Sequence, residues 1–579
     1  MLKLMKYLKK YWYIALLAPI FMIIEVSMDM FLTSYMQKIV DFGISTGNFD
    51  NIIKYGLIMI GILILGILGG ILANVFTNLT SYRFGNDLRK AVFSKIMTLS
   101  NSQTDNFKTG SLVTRVTNDI TQIQNVISMC LRGLVRAASF FVLGIIFTLS
   151  ITRKFGIILL IILPVEIMLL LIFMKLVFPV FKRIQEKLDR VNTVMHENVS
   201  GARVVKAFSK EEYEYNRFTG VNDDYTAQNL YVSKIGALLM PILNLVVYFG
   251  QIVIYYIGGT AIIDAFKSVT GPDILVGQIT QAVTYISMIC MSIMMLGMMF
   301  TNLARANASS ARVCEILDTI PELLDGELKC SNNVKGEIEF KNLSFKYPKA
   351  SNNVLTNLNF KINKGETLAI VGSTGCGKST LVNLIVRFFD VTNGEVLVNN
   401  INVKDYKKEE LRNIVAICLQ KAELFAGTIK DNISFGNVEA SEEEVVDAAK
   451  IAQAHDFIMS KDDGYNEFVA EKGTSLSGGQ KQRLSIARAI IRKPQILIFD
   501  DSTSALDLVT EANLYKELNS KMDDVTKIIV AQRIATARNA NRIMVIDNGT
   551  IESIGTHEEL MNSSLVYRDI YLSQLKEAD

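Results

Sequence analysis

Six apolar stretches, near residues 12–37, 53–78, 129–151, 156–179, 235–263 and 275–303, dominate the first half of the chain. Crossing the ~30 Å hydrocarbon core of a bilayer takes about 20 residues of α-helix. Each stretch is long enough, and a helix satisfies its own backbone hydrogen bonds in lipid. Residues 1–320 therefore read as an all-α transmembrane domain of six helices. Residues 321–335 read as a linker, and 336–579 as a soluble α/β domain. The first stretch is too long for the apolar core of a cleaved signal peptide.

Charge sets the expected orientation. Lys3, Lys6, Lys9 and Lys10 place the N-terminus inside. An even number of spans then returns the C-terminal domain to the cytosol. Arg83, Arg89, Lys90 and Lys95 follow the second span, and Lys182, Arg183, Lys187 and Arg190 follow the fourth, as cytoplasmic loops require. Arg153 and Lys154 oppose the rule and are outvoted. A net charge of +3 over 579 residues gives no nucleic-acid signal, and six spans exclude a soluble nucleic-acid protein. The six cysteines (130, 290, 314, 330, 376 and 418) form no CxxC pair and read as reduced thiols. Only three histidines occur, His196, His455 and His557, which argues against a histidine-rich metal site.

The two cytoplasmic segments are each roughly 50 residues, too long for plain loops. They read as helical extensions of the spans, reaching ~35 Å below the membrane at 1.5 Å per residue. Their tips are expected near 105–116 and 203–214, where they dock on the cytosolic domain. Within the spans, Glu25, Asp29 and Glu166 are costly in lipid and stand as functional candidates. Glu25 and Asp29 are one turn apart and share a face, either to attract a cationic substrate or as a structural pair. The sixth span is crowded by Met288, Met291, Met294, Met295, Met298 and Met299. Methionine packs adaptably and suits promiscuous surfaces. Glu25, Asp29, Met288, Met291 and Met295 are thus candidates for a substrate cavity; helix packing is the other reading.

The soluble half carries the chemistry. "LAIVGSTGCGKST" (368–380) is an apolar strand entering a glycine-rich loop and then a helix. Such a P-loop curls backbone N–H groups around phosphate oxygens at a helix start. Gly372, Ser373, Thr374, Gly375, Cys376, Gly377, Lys378, Ser379 and Thr380 are the expected phosphate contacts. Lys378 reaches the β and γ phosphates, and Ser379 offers its hydroxyl to Mg²⁺. "ILIFDD" (496–501) supplies a buried strand ending in Asp500, the second Mg²⁺ residue. "SLSGGQKQRLSIARA" (475–489) adds a serine-capped helix start, a further anion site.

In this order and spacing these motifs resemble ATP-binding cassette (ABC) proteins. Six spans followed by one cassette resemble an exporter half-transporter of multidrug type, with the type IV exporter fold. The resemblance implies ATP and Mg²⁺ as ligands. It assigns Tyr347 to stacking on adenine, and Gln420 to Mg²⁺ and the attacking water. "EKG" (471–473) resembles the family's contact with the cytoplasmic loops. Leu476, Ser477, Gly478, Gly479 and Gln480 resemble the signature that completes a partner's ATP site. Ser504, Ala505, Leu506 and Asp507 are similar to the loop that crosses the dimer.

Two positions depart from the family pattern. Asp501 stands where a catalytic glutamate is expected, and Gln532 where a histidine contacts the γ-phosphate. Aspartate falls short by about one C–C bond, ~1.5 Å. Glutamine carries neither imidazole's charge nor its proton. The resemblance therefore implies the hydrolysis-impaired subunit of a heterodimer. Its signature would complete the active site of a second half-transporter, whose own signature is expected to be altered. Membrane lipid and a hydrophobic small molecule are the other expected partners, in a bacterial plasma membrane with both termini cytoplasmic. An ATP-gated channel, a lipid or peptide translocator and a slow homodimeric exporter remain open alternatives.

Overall fold

The computed structural model describes residues 1–267, 274–328, 336–348 and 350–576. Part of the expected linker, with Cys330, lies outside these residues. The chain divides into two compact units, Met1–Met97 with Thr109–Thr319, and Thr98–Lys108 with Ile320–Asp579.

Among the described residues, six helices of the first unit are long and apolar enough to cross a membrane. They lie in α1 (Trp12–Ile39), α2 (Phe49–Thr98), α4 (Thr109–Ile151), α5 (Arg153–Ser200), α7 (Glu211–Lys267) and α8 (Val276–Asp318). The short helices α3 (Asn101–Phe107) and α6 (Ala202–Ala207) fall between them. On α2, Leu57, Ile60, Ile64, Leu68 and Ile71 are exposed at helical spacing, the pattern of a lipid-facing stripe. Lipid removes most of the hydrophobic drive between helices, so close packing at small residues matters more. Ile162 of α5 fills the space over Gly250 of α7, and Leu170 the space over Gly297 of α8. Asp119 accepts from Ser309 Oγ (2.9 Å) and Arg312 Nε (2.8 Å), and Arg115 pairs with Glu315 at 2.7 Å, tying α4 to α8.

The first tip overlaps the expected 105–116 at its turn and begins before it. Ser100 and Gln103 form a reciprocal capping box that starts α3, and Lys108 at φ +60° turns the chain. Residues from Thr109 onward, placed by the sequence in the tip, are already helix α4. Gln103 Nε2 donates to the Ile320 carbonyl at 2.7 Å and Ser100 Oγ to Glu322 at 2.8 Å. Residues 98–108 thus belong to the second unit, although the sequence boundary at 320 assigns them to the first. The second tip falls at α6, after a break at Gly201.

The second unit holds two larger sheets and a two-stranded antiparallel pair, Gly427–Thr428 with Phe468–Val469. Strands β1 (Ile338–Phe345), β2 (Leu355–Ile362), β4 (Asn393–Val398) and β5 (Ile401–Asn402) form an antiparallel sheet in the order β2-β1-β4-β5. The central sheet runs β10-β9-β3-β8-β7-β6. Its members are β3 (Thr367–Val371), β6 (Val415–Cys418), β7 (Ile496–Asp500), β8 (Thr526–Val530), β9 (Arg542–Asp547) and β10 (Thr550–Gly555). Strands β3, β6, β7, β8 and β9 pair in parallel, and β10 is antiparallel. Ile496, Leu497, Ile498 and Phe499 are fully buried, each contributing ~2 kcal/mol by burial. In such sheets ligands bind beyond the carboxyl ends of the strands. The ends of β3, β7 and β8 carry the residues singled out by sequence.

Candidate nucleotide site

The loop after β3 has the backbone that phosphate requires. Gly372 (φ +152°) and Gly377 (φ +105°) occupy conformations that side chains rarely adopt. A Cβ at Gly372 would lie 2.2 Å from the Ile546 carbonyl, and one at Gly377 2.6 Å from Leu355. The loop opens helix α9 (Lys378–Ile385), whose first N–H groups are unpaired and carry partial positive charge. Lys378 Nζ donates to the Gly372 and Ser373 carbonyls, both at 2.8 Å, so the ammonium arches over its own loop. Ser379 Oγ donates to Asp500 Oδ1 at 2.7 Å. Hydroxyl beside carboxylate is a hard oxygen pair that suits Mg²⁺, a metal that keeps much of its shell as water and phosphate. The donor set thus fits Mg-nucleotide. Burial holds the Asp500 carboxyl above the usual carboxylate range, with the Asp501 charge adding to it and the Ser379 bond opposing.

The corner at the ends of β7 and β8 is arranged differently. Asp501 is buried at φ +49°, a left-handed backbone that short polar residues tolerate best. Its Oδ2 accepts from Gln420 Nε2 (3.1 Å) and from Gln532 Nε2 (2.6 Å). Both amides therefore converge on one carboxylate oxygen. Burial pushes the Asp501 carboxyl up, and the Gln420 bond works against it. Tyr347, the expected adenine platform, packs edge-on against Phe345 and Phe389 at 5.0 and 5.2 Å between ring centres. Its hydroxyl lies 2.9 Å from Thr380 Oγ1, which ties the ring to α9.

Ser477 caps helix α10 (Gly478–Ile490) in a capping box with Gln480. Leu476 is buried beneath it. The two signature glycines lie against Ala505: a Cβ at Gly479 would meet the Ala505 carbonyl at 2.9 Å. Gln482 Oε1 accepts from the Ala505 N–H at 3.0 Å, joining α10 to the Ser504–Asp507 loop. Asp507 then caps helix α11 (Leu508–Lys521).

Two contributors near this site were invisible to motif reading. Buried Glu511 on α11 accepts from Thr503 and Thr536 at 2.7 and 2.9 Å, linking the loops after β7 and β8. Gln574 on helix α12 (Leu565–Lys576) brackets the loop after β8. Its Oε1 accepts from the Ile534 N–H (2.8 Å) and its Nε2 donates to the Gln532 carbonyl (2.6 Å). No local pattern announces a partner 42 residues away. Arg136 inside the third span did carry a signal, because a charge in a span asks for a partner.

In the first unit, Met288, Met291 and Met295 do line one cavity, of about 520 Å³, with Phe140, Met240 and Met294 among their neighbours. Glu25 and Asp29 are not among its lining side chains. They face Arg136 of α4 at 3.4 and 3.9 Å, a structural ion cluster, because α1 turns that face toward α4. The side chain of Met298 is outside the described residues. A groove of about 630 Å³ in the second unit is lined by Phe388, Phe425, Phe435, Arg412, Arg488 and Arg492 among others.

Comparison with known proteins agrees with this geometry. The family models for the ABC transporter transmembrane region and for the ABC transporter match residues 15–294 and 355–504. "Uncharacterized ABC transporter ATP-binding protein YfiB" of Bacillus subtilis (strain 168) is 36% identical over 574 residues, covering 99% of this chain and 98% of its own. "Putative multidrug export ATP-binding/permease protein YgaD" of the same organism is 33% identical over 501 residues, 86% of this chain and 85% of its own. The solved structure of a bacterial Atm1-family ABC exporter with ATP bound shares the fold, with a TM-score of 0.79 at 23% identity over 97% of this chain and 98% of that chain. With one transmembrane region followed by one ATP-binding region, in the exporter fold, this integral membrane protein belongs to the ABC transporter family as an exporter half-transporter.

Proposed function

We propose that this chain is the hydrolysis-impaired half of a heterodimeric, ATP-driven exporter of hydrophobic or amphipathic compounds. The observation that carries this reading is the amide clamp on Asp501. In-line attack on the γ-phosphate needs a carboxylate aimed at water. Asp501 has the shorter reach, and one of its oxygens takes two amide donors. Gln532 has no proton to exchange and no charge to give.

ATP bound here supplies binding energy that closes two cassettes. Lys378 and the loop N–H groups would hold the phosphates, and Ser379 and Asp500 would hold the metal, Mg²⁺, which would offset the phosphate charge. Gln420 joins the metal side to Asp501. Signature residues 476–480 complete the active site of the partner half, where hydrolysis resets the cycle. The aromatic and arginine-lined groove receives a cytoplasmic tip of the partner half and passes the closure to the membrane. A bacterial plasma membrane with both termini inside is the setting this implies. ATP drives the change only through tighter binding to the closed form.

Steady-state ATPase activity in lipid tests the reading, with this chain alone and with a second half-transporter encoded beside it. A nearly inactive lone chain and an active pair, dependent on the partner's glutamate, is the expected result. Brisk hydrolysis by the lone chain would overturn it and favour the homodimeric exporter, since Asp501 keeps a carboxylate. Passive conductance without uphill transport would favour the channel.

A further inference from the structure

One ionisable group in the membrane unit has no place in this cycle. Glu166 lies on α5 near the middle of the Arg153–Val177 span. It is fully buried, and among the described residues neither carboxyl oxygen has a hydrogen-bond partner stronger than the Cys290 thiol. Ile162 one turn before it packs over Gly250, and Leu170 one turn after it over Gly297, so α7 and α8 close on both sides. Among the described residues, the titratable side chain that acts on it is the Cys290 thiol of α8. Glu25 and Asp29, by contrast, share the guanidinium of Arg136.

A carboxylate at that depth, with only the weak thiol donor of Cys290 beside it and no cation among the described residues, is far costlier than a carboxylic acid. An apolar side chain would fill the same space without any such cost, so the carboxyl points to a use. Its position suggests which one. Cys290 and Met294 occupy successive turns of α8, both buried, and Met294 lines the methionine cavity. Glu166 therefore sits one helix behind the cavity wall, at the level of its lining.

We propose that Glu166 holds a proton in this state and that the cavity takes lipophilic organic cations in exchange for it. When the Cys290–Met294 turn withdraws, the O–H bond breaks, the proton passes to cavity water, and the carboxylate pairs with the arriving cation. One positive charge leaves and one enters, so the site stays neutral. The inference rests on the export reading above and names its substrate class.

The test uses the full chain assembled with its partner in lipid vesicles. Dicyclohexylcarbodiimide attacks only protonated carboxyls: the acid proton moves to a carbodiimide nitrogen and the carboxyl oxygen bonds to its carbon. Mass spectrometry should find the adduct on Glu166, and tetraphenylphosphonium should protect it where neutral triphenylphosphine oxide does not. E166Q should weaken tetraphenylphosphonium binding about 10-fold, the scale of one lost charge pairing, and leave triphenylphosphine oxide unchanged. E166D should retain the cation preference. An unlabelled Glu166, equal cation affinity in E166Q, or a cation preference that follows E25Q instead would overturn the inference. Should E166Q fail to assemble, labelling and protection of the unaltered protein decide. Failure of both compounds to bind the unaltered protein counts against the export reading, while the carbodiimide adduct still reports the proton.

Discussion

The phosphate cradle and the carboxylate corner grow from neighbouring strands of one sheet, yet they are organised for different work. In the cradle, Gly372, Gly377, Lys378, Ser379 and Asp500 present a tight loop, an ammonium and a hard oxygen pair. In the corner, Asp501 and Gln532 hold each other at 2.6 Å, and Gln420 joins them from the loop after β6. Groups in the first set bind by being where they are. Groups in the second would have to reach a water and take its proton, and their bonds turn inward. Binding thus tolerates what hydrolysis does not, because a misplacement of about 1 Å lowers a rate by on the order of 10²-fold.

The sharpest cut through this comparison is Lys378→Ala. It removes the ammonium proposed to bond two phosphates, and nucleotide affinity of this chain should fall on the order of 10³-fold. Photolabelling with an azido nucleotide reads the loss; retained labelling would mean that the cradle is not the binding element. Next comes the corner itself. Asp501→Glu with Gln532→His should raise ATP turnover of the chain about 100-fold, measured as phosphate release. An unchanged rate would count against the reading of this site as hydrolysis-impaired through Asp501 and Gln532.

A smaller effect is expected of Gln574→Ala. The loop after β8 loses both anchoring bonds, so the Ile534 amide should exchange with solvent about 10-fold faster. Unaltered exchange would show that the corner owes nothing to α12. Smallest is Ser477→Ala, which deletes the α10 cap and should cost about 1 kcal/mol of folding stability. Nucleotide binding in this chain's own cradle should stay intact. Thermal unfolding with and without ATP separates the two.

The chain's order of motifs made its architecture legible before any coordinates. Helix spans need only length and apolarity, and a phosphate loop needs glycines, lysine and serine at fixed spacing. Both are local properties, so the six spans and the α/β cassette followed from sequence. The first tip was legible only in part: it turns at Lys108, inside the expected 105–116, but starts at a capping box at Ser100 that the periodicity around it does not announce. The departures at Asp501 and Gln532 were also legible as letters. What they do to each other was not, since the two lie 31 residues apart and meet only where β7 and β8 run side by side. The same holds for Gln574 on its loop, Arg136 between Glu25 and Asp29, and Glu166 behind Cys290. Local chemistry determined which groups this protein carries; the packing of distant segments alone decided which of them face one another, and so which charges are paired, clamped or left waiting for a proton.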